Sequence, residues 1–491
     1  MPMLPLIAIA LTAALPGDSV MWRMSDAAYA NPALKQWMLP DSYSAGGVQW
    51  ADTAMTRAID PRLGSGERAF SANAETYLKH KSSTLWGSAS YANGRQYGLR
   101  WNETSDATLL WPYLTADSVG GNMRLERYAF SGGYADNSGR WAWGIAGGYA
   151  AGLYYRNVDP RPRNVTGRLD ITAGASYSVS SAYDLALSAG WSKYKQSNSV
   201  QFMSEMGEDR IYHLTGPVMH YRRFDGQGKS ASYNGHFTRA SLSLFRRSGD
   251  GLSATADWQR FTFTKILVDL NRLPLARMAD NSLGAQIAWK QPGLTDGWAV
   301  TVSARMRMRR GTENIFGDPA GSVYPQIGSV QRYRLDSYDI RLSGLWQYHP
   351  GSGLRIWVKP EAALSLSDER YLSPLQKNRI NAVRGGAEAR ISMPLGTPWR
   401  LWVQAKGAYT APFGCELLIS NAGDTTPGLL RVQRQAHEVY SHSSAAFDAG
   451  AGLIRSLSHR LALQLALDWS QSRYTAGHRT DTMNAAISLL F

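Results

Sequence analysis

The stretch RLALQLALDWS, residues 460–470, alternates apolar and polar side chains without a break. Its odd-numbered positions, four leucines and Trp469, form one face, and polar or small residues form the other. Successive side chains of a β-strand point to opposite faces, so the pattern predicts a strand with one wholly apolar face. The same alternation recurs from about residue 81 to the end of the chain, as in residues 183–192, 297–310 and 353–367.

Short polar turns alternate with longer loops, such as Ser199–Gly228, between these strands. Each short turn predicts a hairpin. The eight predicted turns are Ala92–Arg95, Asp136–Arg140, Val179–Ala182, Arg247–Gly251, Gln291–Gly297, His349–Gly353, Leu395–Pro398 and Ser456–His459. Eight hairpins and a strand at each end predict about 18 strands. Sixteen is the alternative, because the first strand could begin near Ser42–Ala51 or near Arg68–Lys79.

The segregation of short turns from long loops distinguishes between two all-β architectures. A soluble sandwich also alternates apolar and polar faces, but its strands are usually shorter and its loops are not sorted by length. A transmembrane barrel has short periplasmic turns, long external loops, an apolar exterior and a polar lumen. The sequence therefore predicts an all-β fold, a closed antiparallel transmembrane β-barrel. Five tryptophans near short turns, on apolar faces, predict an aromatic girdle: Trp141, Trp289, Trp298, Trp346 and Trp399.

The composition agrees with a strand-rich membrane protein. Charged residues make up only 18%, below the quarter that is usual in soluble proteins. The mean hydropathy of −0.31 excludes a helical membrane protein. The net charge of +14 suits an acidic ligand or an anionic membrane surface better than nucleic acid, since no nucleic-acid motif is present. Cys415 is the only cysteine, which excludes an intrachain disulfide.

The N-terminus predicts export. Met3–Leu15 is apolar and ends in small residues, as in a secretory signal, and is too short to span a bilayer as a helix. We expect a signal peptide at residues 1–20, an N-terminal periplasmic or lumenal segment at 21–66, and an outer-membrane barrel at 67–491. The middle segment is too short for a plug domain of the TonB-dependent kind. The expected location is the outer membrane of a Gram-negative cell.

Basic residues mark the polar faces of the later strands. They predict an electropositive lumen that favours anionic solutes. The alternative is a ladder of ion pairs with the lumenal carboxylates Asp339, Glu361 and Glu388, each of which would contribute little. The basic candidates are Arg305, Arg307, Arg309, Arg341, Arg355, Lys359, Arg384, Arg390, Arg400 and Lys406.

The stretch Tyr154–Gly167 is an expected external loop, stiffened by Asp159–Pro162. It could contact a partner or lipopolysaccharide phosphates, or form a local turn held by Asp–Arg contacts. Asn164–Thr166 matches a glycosylation sequon, a pattern that is frequent by chance.

The nine histidines show no metal-site spacing, and we expect no metal and no cofactor. Five of them lie near predicted external ends, and Ser441 and Ser443 flank His442. A barrel hydrolase is therefore an alternative, although the spacing does not require catalysis and we expect no enzyme. The five are His213, His220, His236, His437 and His442.

Several stretches resemble an uncharacterised family of outer-membrane barrels from Bacteroidota. They are Leu85–Ala135, YYRNVDPRPRN at residues 154–164, and SKYKQSNSVQF at Ser192–Phe202. The resemblance implies a barrel and an outer-membrane location, and it implies no activity.

Two main hypotheses of function follow. The first is a porin-like channel or uptake component for a small to medium solute, anionic if the arginine rows are unpaired. The second is a non-conducting barrel that scaffolds a surface lipoprotein or an assembly complex. Expected partners are outer-membrane lipid and lipopolysaccharide, a lipoprotein or TonB-dependent receptor, and the barrel-assembly machinery. We expect that machinery to read the terminal Phe491 as an insertion signal.

Overall fold

The computed structural model describes residues 19–204, 210–321, 323–420, 426–458 and 460–491. Residues 1–18 of the predicted signal peptide lie outside these ranges. The helices are α1 (Ser19–Trp22), α2 (Ala107–Leu110) and α3 (Pro427–Tyr440). Four short 3-10 helices precede β2, at Arg23–Ser25, Ala28–Ala30, Pro32–Trp37 and Pro61–Leu63, and a fifth is at Arg222–Phe224. In the described residues, no helix is both long and apolar enough to span a membrane.

The strands dominate the described chain. They are β1 (Tyr43–Met55), β2 (Gly66–Lys79), β3 (Ser83–Leu99), β4 (Thr115–Ala116), β5 (Gly121–Ser138), β6 (Trp141–Tyr155), β7 (Arg161–Ser178), β8 (Asp184–Gln201), β9 (Tyr212–His213), β10 (Ser230–Phe245), β11 (Gly251–Leu267), β12 (Leu273–Gln291), β13 (Asp296–Phe316), β14 (Gln326–Tyr348), β15 (Arg355–Leu372), β16 (Leu375–Pro394), β17 (Trp399–Ile419), β18 (Ser444–Ser458), β19 (Leu461–Tyr474) and β20 (Arg479–Leu490).

Eighteen strands form one closed antiparallel sheet, and the other two, β4 and β9, pair with each other in the loops. Each barrel strand pairs with the next one along the chain, and β20 pairs with β1. The predicted fold and the strand number of 18 are confirmed. Closure leaves no free sheet edge, which a barrel in lipid requires.

The predicted start of the barrel at residue 67 is wrong. Tyr43–Met55 pairs with β2 on one side and with β20 on the other, so the wall begins at Tyr43. The two stretches weighed for the first strand are both strands, β1 and β2.

Seven of the eight predicted short turns do join neighbouring strands, although His459 of the last one lies outside the described residues. The prediction at Ala92–Arg95 is wrong, because this stretch lies inside β3 and the chain turns at residues 80–82 instead. Gly94 serves close packing there: a Cβ atom at this position would lie 2.2 Å from the carbonyl oxygen of Arg68. An Asn-Gly pair often indicates a turn, but here it lies inside a strand whose backbone packs closely against the next strand.

The exterior of the barrel is apolar. The outward side chains include Phe130, Ile287, Leu342 and Leu467, each exposed by 49–66%. The five predicted girdle tryptophans are 37–59% exposed and lie beside the short turns. An apolar band of this extent is unusual for a protein that faces water and is typical of one that faces lipid.

The short-turn end of the lumen is filled by residues 20–39, which we call the inner plug. Leu34 is fully buried in a cluster with Tyr29, Ala186 and Phe245. Met21 and Met24 pack against β13 and β14 in a second cluster that includes Leu345. The N-terminal segment, expected to be periplasmic or lumenal, therefore lies in the lumen over these residues.

The long-loop end is filled by residues 100–120, 210–229 and α3, which together we call the outer plug. Its apolar side chains form the largest buried cluster of the described chain, together with Tyr233, Phe263 and Tyr333 of the wall. The loop Ser199–Gly228 thus folds inward over its described residues 210–228. Both ends of the barrel lumen thus hold packed segments of the chain.

Candidate functional site

Arg309 fixes the outer plug to the wall. Its side chain is only 1% exposed, and its Nη1 donates to the carbonyl oxygens of Trp111 at 2.7 Å and Thr108 at 3.2 Å. Its Nε and Nη2 donate to one carboxylate oxygen of Asp280, at 2.9 and 2.8 Å. Arg307 binds the same carboxylate. A buried guanidinium needs such a complete set of acceptors. Arg309 therefore anchors the outer plug to β13.

Two further wall residues hold the same loop. Lys265 Nζ donates to the carbonyl oxygen of Leu114 at 2.8 Å, and Tyr233 Oη donates to that of Tyr113 at 2.9 Å. Both donors are fully buried. These contacts join β10, β11 and β13 to residues 108–114 of the outer plug, so buried hydrogen bonds hold the plug against the wall.

Arg305 forms an ion pair, but with none of the three predicted carboxylates. Its Nη2 lies 3.0 Å from Asp257 Oδ1, although Asp257 is on β11, two strands away. Gly284 on the intervening β12 leaves the space, since a Cβ atom there would lie 2.3 Å from Asp257 Oδ1 and 2.7 Å from Arg305 Nη2. A glycine facing the lumen between two charged strands was the signal that could have found this pair.

The three predicted carboxylate partners behave differently from one another. Glu361 pairs with Lys406 at 3.7 Å and Arg384 at 4.0 Å, as expected. Asp339 accepts a hydrogen bond from Ser365 at 2.7 Å, and Glu388 accepts one from Gln404 at 2.8 Å. The nearest partners of Arg305 and Arg307 are therefore Asp257 and Asp280, and the predicted partner Asp339 is bonded to a serine.

The remaining basic candidates also face the lumen. The Arg390 guanidinium lies over the Trp402 ring at 4.1 Å, and Arg400 donates to the Gly353 carbonyl oxygen at 2.8 Å. Within the described ranges, no ion pair or side-chain hydrogen bond engages Arg341, Arg355 or Lys359. The lumen wall is thus partly paired and retains unpaired positive charge on β14 and β15.

A cleft of about 630 Å³ opens at the long-loop end, which is the volume of a small-molecule site. Its lining carries three guanidinium groups, those of Arg222, Arg223 and Arg332, against the single carboxylate of Glu313. Arg332 lies 3.7 Å from that carboxylate, and its Nε has no hydrogen-bond acceptor. Such an arrangement favours an anion.

Polar and aromatic side chains complete the cleft. Tyr371 donates from its hydroxyl to Glu313 Oε2 at 3.0 Å. Burial, and then the charge of Glu313, raises the pKa of the Tyr221 hydroxyl, so this group stays protonated and able to donate. Arg223 is held by the carbonyl oxygens of Phe316 and Gly317 at 2.8 and 2.7 Å, and its charge is paired with Asp318 at 3.2 Å, so Arg332 is the arginine best placed for an anion. Sequence reasoning missed the cleft because its residues come from two loops and three strands.

The loop at Asp159 forms a local turn, as one alternative expected. Asp159 Oδ1 accepts from Arg161 Nε at 2.6 Å, and its Oδ2 accepts from the backbone nitrogens of Met203 and Ser204 at 2.6 and 2.7 Å. These bonds, that from Met203 first, hold the pKa of the Asp159 carboxyl below its usual value. The sequon residue Asn164 is fully buried in β7 and donates to the Glu103 carbonyl oxygen, which leaves no room for a glycan.

The five candidate histidines each have their own neighbours in the structure. His442 Nδ1 lies 2.6 Å from the Glu438 carbonyl oxygen, and His213 Nε2 lies 3.0 Å from that of Gln227. Burial lowers the pKa of His213, with Lys265 the next cause, so its ring is neutral. His236 is on the exterior beside Thr262. Over the described residues, no group of three or more His, Cys, Asp or Glu side chains could hold a metal ion.

Comparisons with known proteins place the chain in a family. The model of a family described as "Family of unknown function (DUF6850)" matches residues 32–491. No curated protein matches. The predicted resemblance to an uncharacterised family is thereby confirmed, and its source in Bacteroidota stays a prediction.

Solved barrels show weak structural similarity. A mutant ferric enterobactin receptor PfeA from Pseudomonas aeruginosa has a TM-score of 0.39 and 10% identity, covering 91% of this chain and 80% of its own. The copper transporter OprC gives 0.40 and 10%, covering 90% and 80%. The siderophore receptor PiuA from Acinetobacter baumannii gives 0.40 and 8%, covering 92% and 82%.

Proposed function

The chain belongs to the DUF6850 family, whose function is unknown, and we propose that it is an outer-membrane uptake barrel that binds an anionic solute in its external cleft. The observation that carries the proposal is the cleft itself, whose lining holds one carboxylate, Glu313, and three arginines, of which Arg332 has an Nε with no hydrogen-bond acceptor. A protein that only scaffolds its neighbours has no need of such a pocket.

Three features support the membrane location and orientation. The exterior is apolar, tryptophans line its short-turn end, and basic side chains such as Arg95, Arg124 and Lys195 face outward near the long loops. Cations at that end suit the phosphates of an anionic outer leaflet. The long loops would then be external, as the sequence predicts.

The two plugs make passage conditional. A solute bound in the cleft meets the outer plug first and the inner plug at the far end. Uptake therefore requires both to move, and free diffusion is not expected. We propose that binding in the cleft precedes displacement of the outer plug.

The scaffold hypothesis remains the second candidate, because one observation favours it. The filled lumen, with Leu34, Trp111 and Phe224 all at most 7% exposed, would suit a barrel that never conducts.

Anion binding to detergent-purified protein tests the cleft. Citrate and inorganic pyrophosphate serve as probes in isothermal titration calorimetry, with sucrose as the neutral comparison. We expect binding of at least one anion, no binding of sucrose, and at least a tenfold weaker affinity in Arg332→Gln. Arg341→Gln removes an equal charge from the lumen wall away from the cleft and should bind as the unaltered protein does.

Two outcomes would contradict the proposal. Equal affinities in the two variants would remove the cleft from the argument. Absence of any anion binding, together with silent planar bilayers and a stoichiometric co-purifying protein, would favour the scaffold.

A further inference from the structure

Four cations lie in one straight row on the outside of the barrel. Arg310 is directly opposite Arg334, Arg334 is opposite Arg370, and Arg370 is opposite Lys377, across the adjacent strands β13 to β16. Their side chains lie on the same strand faces as exposed apolar ones such as Tyr338, so they face outward. Opposite residues of an antiparallel pair lie about 4.5–5.5 Å apart at Cβ, and like charges there repel. We call these four residues the cation row.

The carboxylates nearby do not balance the row. Asp336 accepts from Arg310 at 2.6 Å and from Arg334 at 2.5 Å, and Asp368 accepts from Arg370 at 2.6 Å. Asp368 also pairs with a fifth cation, Arg379, at 3.0 Å. The last carboxylate, Glu416, is 2.5 Å from Lys377 Nζ.

Five cations thus share three carboxylates, leaving two positive charges in excess. Along their strands, all three carboxylates lie two residues from the row, on the side of the apolar band. The side chains of Arg334 and Arg370 keep 49% and 41% of their surface exposed. Their exposed surface is therefore free to meet an anion from outside the barrel.

The height of the row fits a headgroup layer. Twelve residues separate the girdle residue Trp298 from Arg310 on the same face of β13, and twelve separate Arg334 from Trp346 on β14. At about 3.3 Å per residue this is roughly 40 Å along a strand. A strand tilt of about 40° reduces it to about 30 Å along the barrel axis, just beyond an apolar band about 25 Å tall.

We propose that the cation row binds the headgroup phosphates of an anionic lipid of the outer leaflet, of the lipid A type. The row supplies charge-assisted donors, and the exposed Tyr338, Ile340, Leu342 and Val383 below it supply apolar surface for the acyl chains. A free phosphate would gain only the first of these contacts, which is why the proposal commits to a lipid. The inference rests on the proposed outer-membrane location.

Native mass spectrometry of the folded, detergent-purified barrel tests the site, with lipid A as the probe. The variant Arg334→Gln/Arg370→Gln removes half of the row and leaves Asp336 with Arg310 and Asp368 with Arg379. The control Arg95→Gln/Arg124→Gln removes two exposed arginines that are likewise directly opposite one another, on β3 and β5. We expect the row variant to bind lipid A at least tenfold more weakly than the unaltered barrel, and the control to change it less than twofold.

Other outcomes are decisive against the proposal. If both double variants weaken lipid A binding equally, the outward basic residues near the long loops attract the lipid in general, and the cation row is not a specific site. If inorganic phosphate at millimolar concentration displaces lipid A completely, the row is a phosphate site and the lipid assignment is wrong. Heat-modifiable gel mobility shows that each variant is folded, and flotation of the unaltered protein with outer membranes tests the location independently.

Discussion

Replacing Arg309 with methionine should loosen the outer plug without unfolding the barrel. The substitution removes two charge-assisted hydrogen bonds to the carbonyl oxygens of Thr108 and Trp111. It does not orphan Asp280, which keeps three contacts to Arg307 at 3.0, 2.9 and 2.5 Å. Methionine fills much of the same volume, so no large cavity should follow.

The magnitude follows from the lost bonds. A hydrogen bond to a charged group contributes about 1.5–3 kcal/mol, so the two together stabilise the docked plug by roughly 3–6 kcal/mol. Burial of the Trp111 and Leu114 side chains, about 1.5–3 kcal/mol each, is unaffected, so the plug stays docked most of the time. A loss of about 3 kcal/mol corresponds to roughly a hundredfold rise in the open population, at about 1.4 kcal/mol per factor of ten.

Hydrogen–deuterium exchange measures this population. The amides of Trp111 and Tyr113 donate within the plug, to the carbonyl oxygens of Ala107 and Leu110, and should exchange about a hundredfold faster in the variant. Arg305→Met is the matched control on the same strand and face, since its ion pair with Asp257 does not contact the plug. Exchange within threefold of the unaltered protein, or an equal change in the control, would refute the anchoring role.

Three further predictions concern the ends of the barrel. Deleting Phe491, which is 62% exposed and closes the wall through its backbone, should lower the yield of folded barrel in the membrane, and undiminished heat-modifiable protein would contradict this. Gly144→Val should expel the inner plug, because a Cβ atom there would lie 2.6 Å from the carbonyl carbon of Pro32, so trypsin should cleave after Lys35; Gly147→Ala, which has room, should leave that site protected. Burial lowers the pKa of His437 below 6.5, so the folded state favours the neutral ring and docking of α3 weakens as pH falls through 6.5. Exchange of the α3 amides should therefore accelerate between pH 7.5 and 5.5, and His437→Gln should abolish that dependence.

The wall of the barrel could be predicted from sequence because it obeys one rule throughout. Each strand separates lipid from lumen, so alternation recurs in every hairpin, and the strand number follows from the turns. The rule also found the girdle, since Trp298 and Trp346 sit at its predicted boundary. The start of the wall was harder to predict, because β1 contains Gly46, Gly47 and small residues that weaken the alternation.

The contents of the lumen could not be predicted in the same way. The outer plug is held by Arg309 and Lys265, and nothing local distinguishes these two from basic residues that line a pore. Their roles depend on which loop reaches them across the barrel. Pairing was missed for a related reason: Arg305 passes over Gly284 to Asp257, so its partner is not the residue that register places beside it.

Closure of the wall between β1 and β20 has a consequence for the order of assembly. The inner plug precedes β1 in the chain, yet it ends up enclosed by strands that are made after it. The wall can seal only when the final strand is available, so residues 20–39 are made long before the closed lumen that holds them exists. The inner plug is therefore the first described segment to be synthesised, while the wall around it is completed only by the last strand.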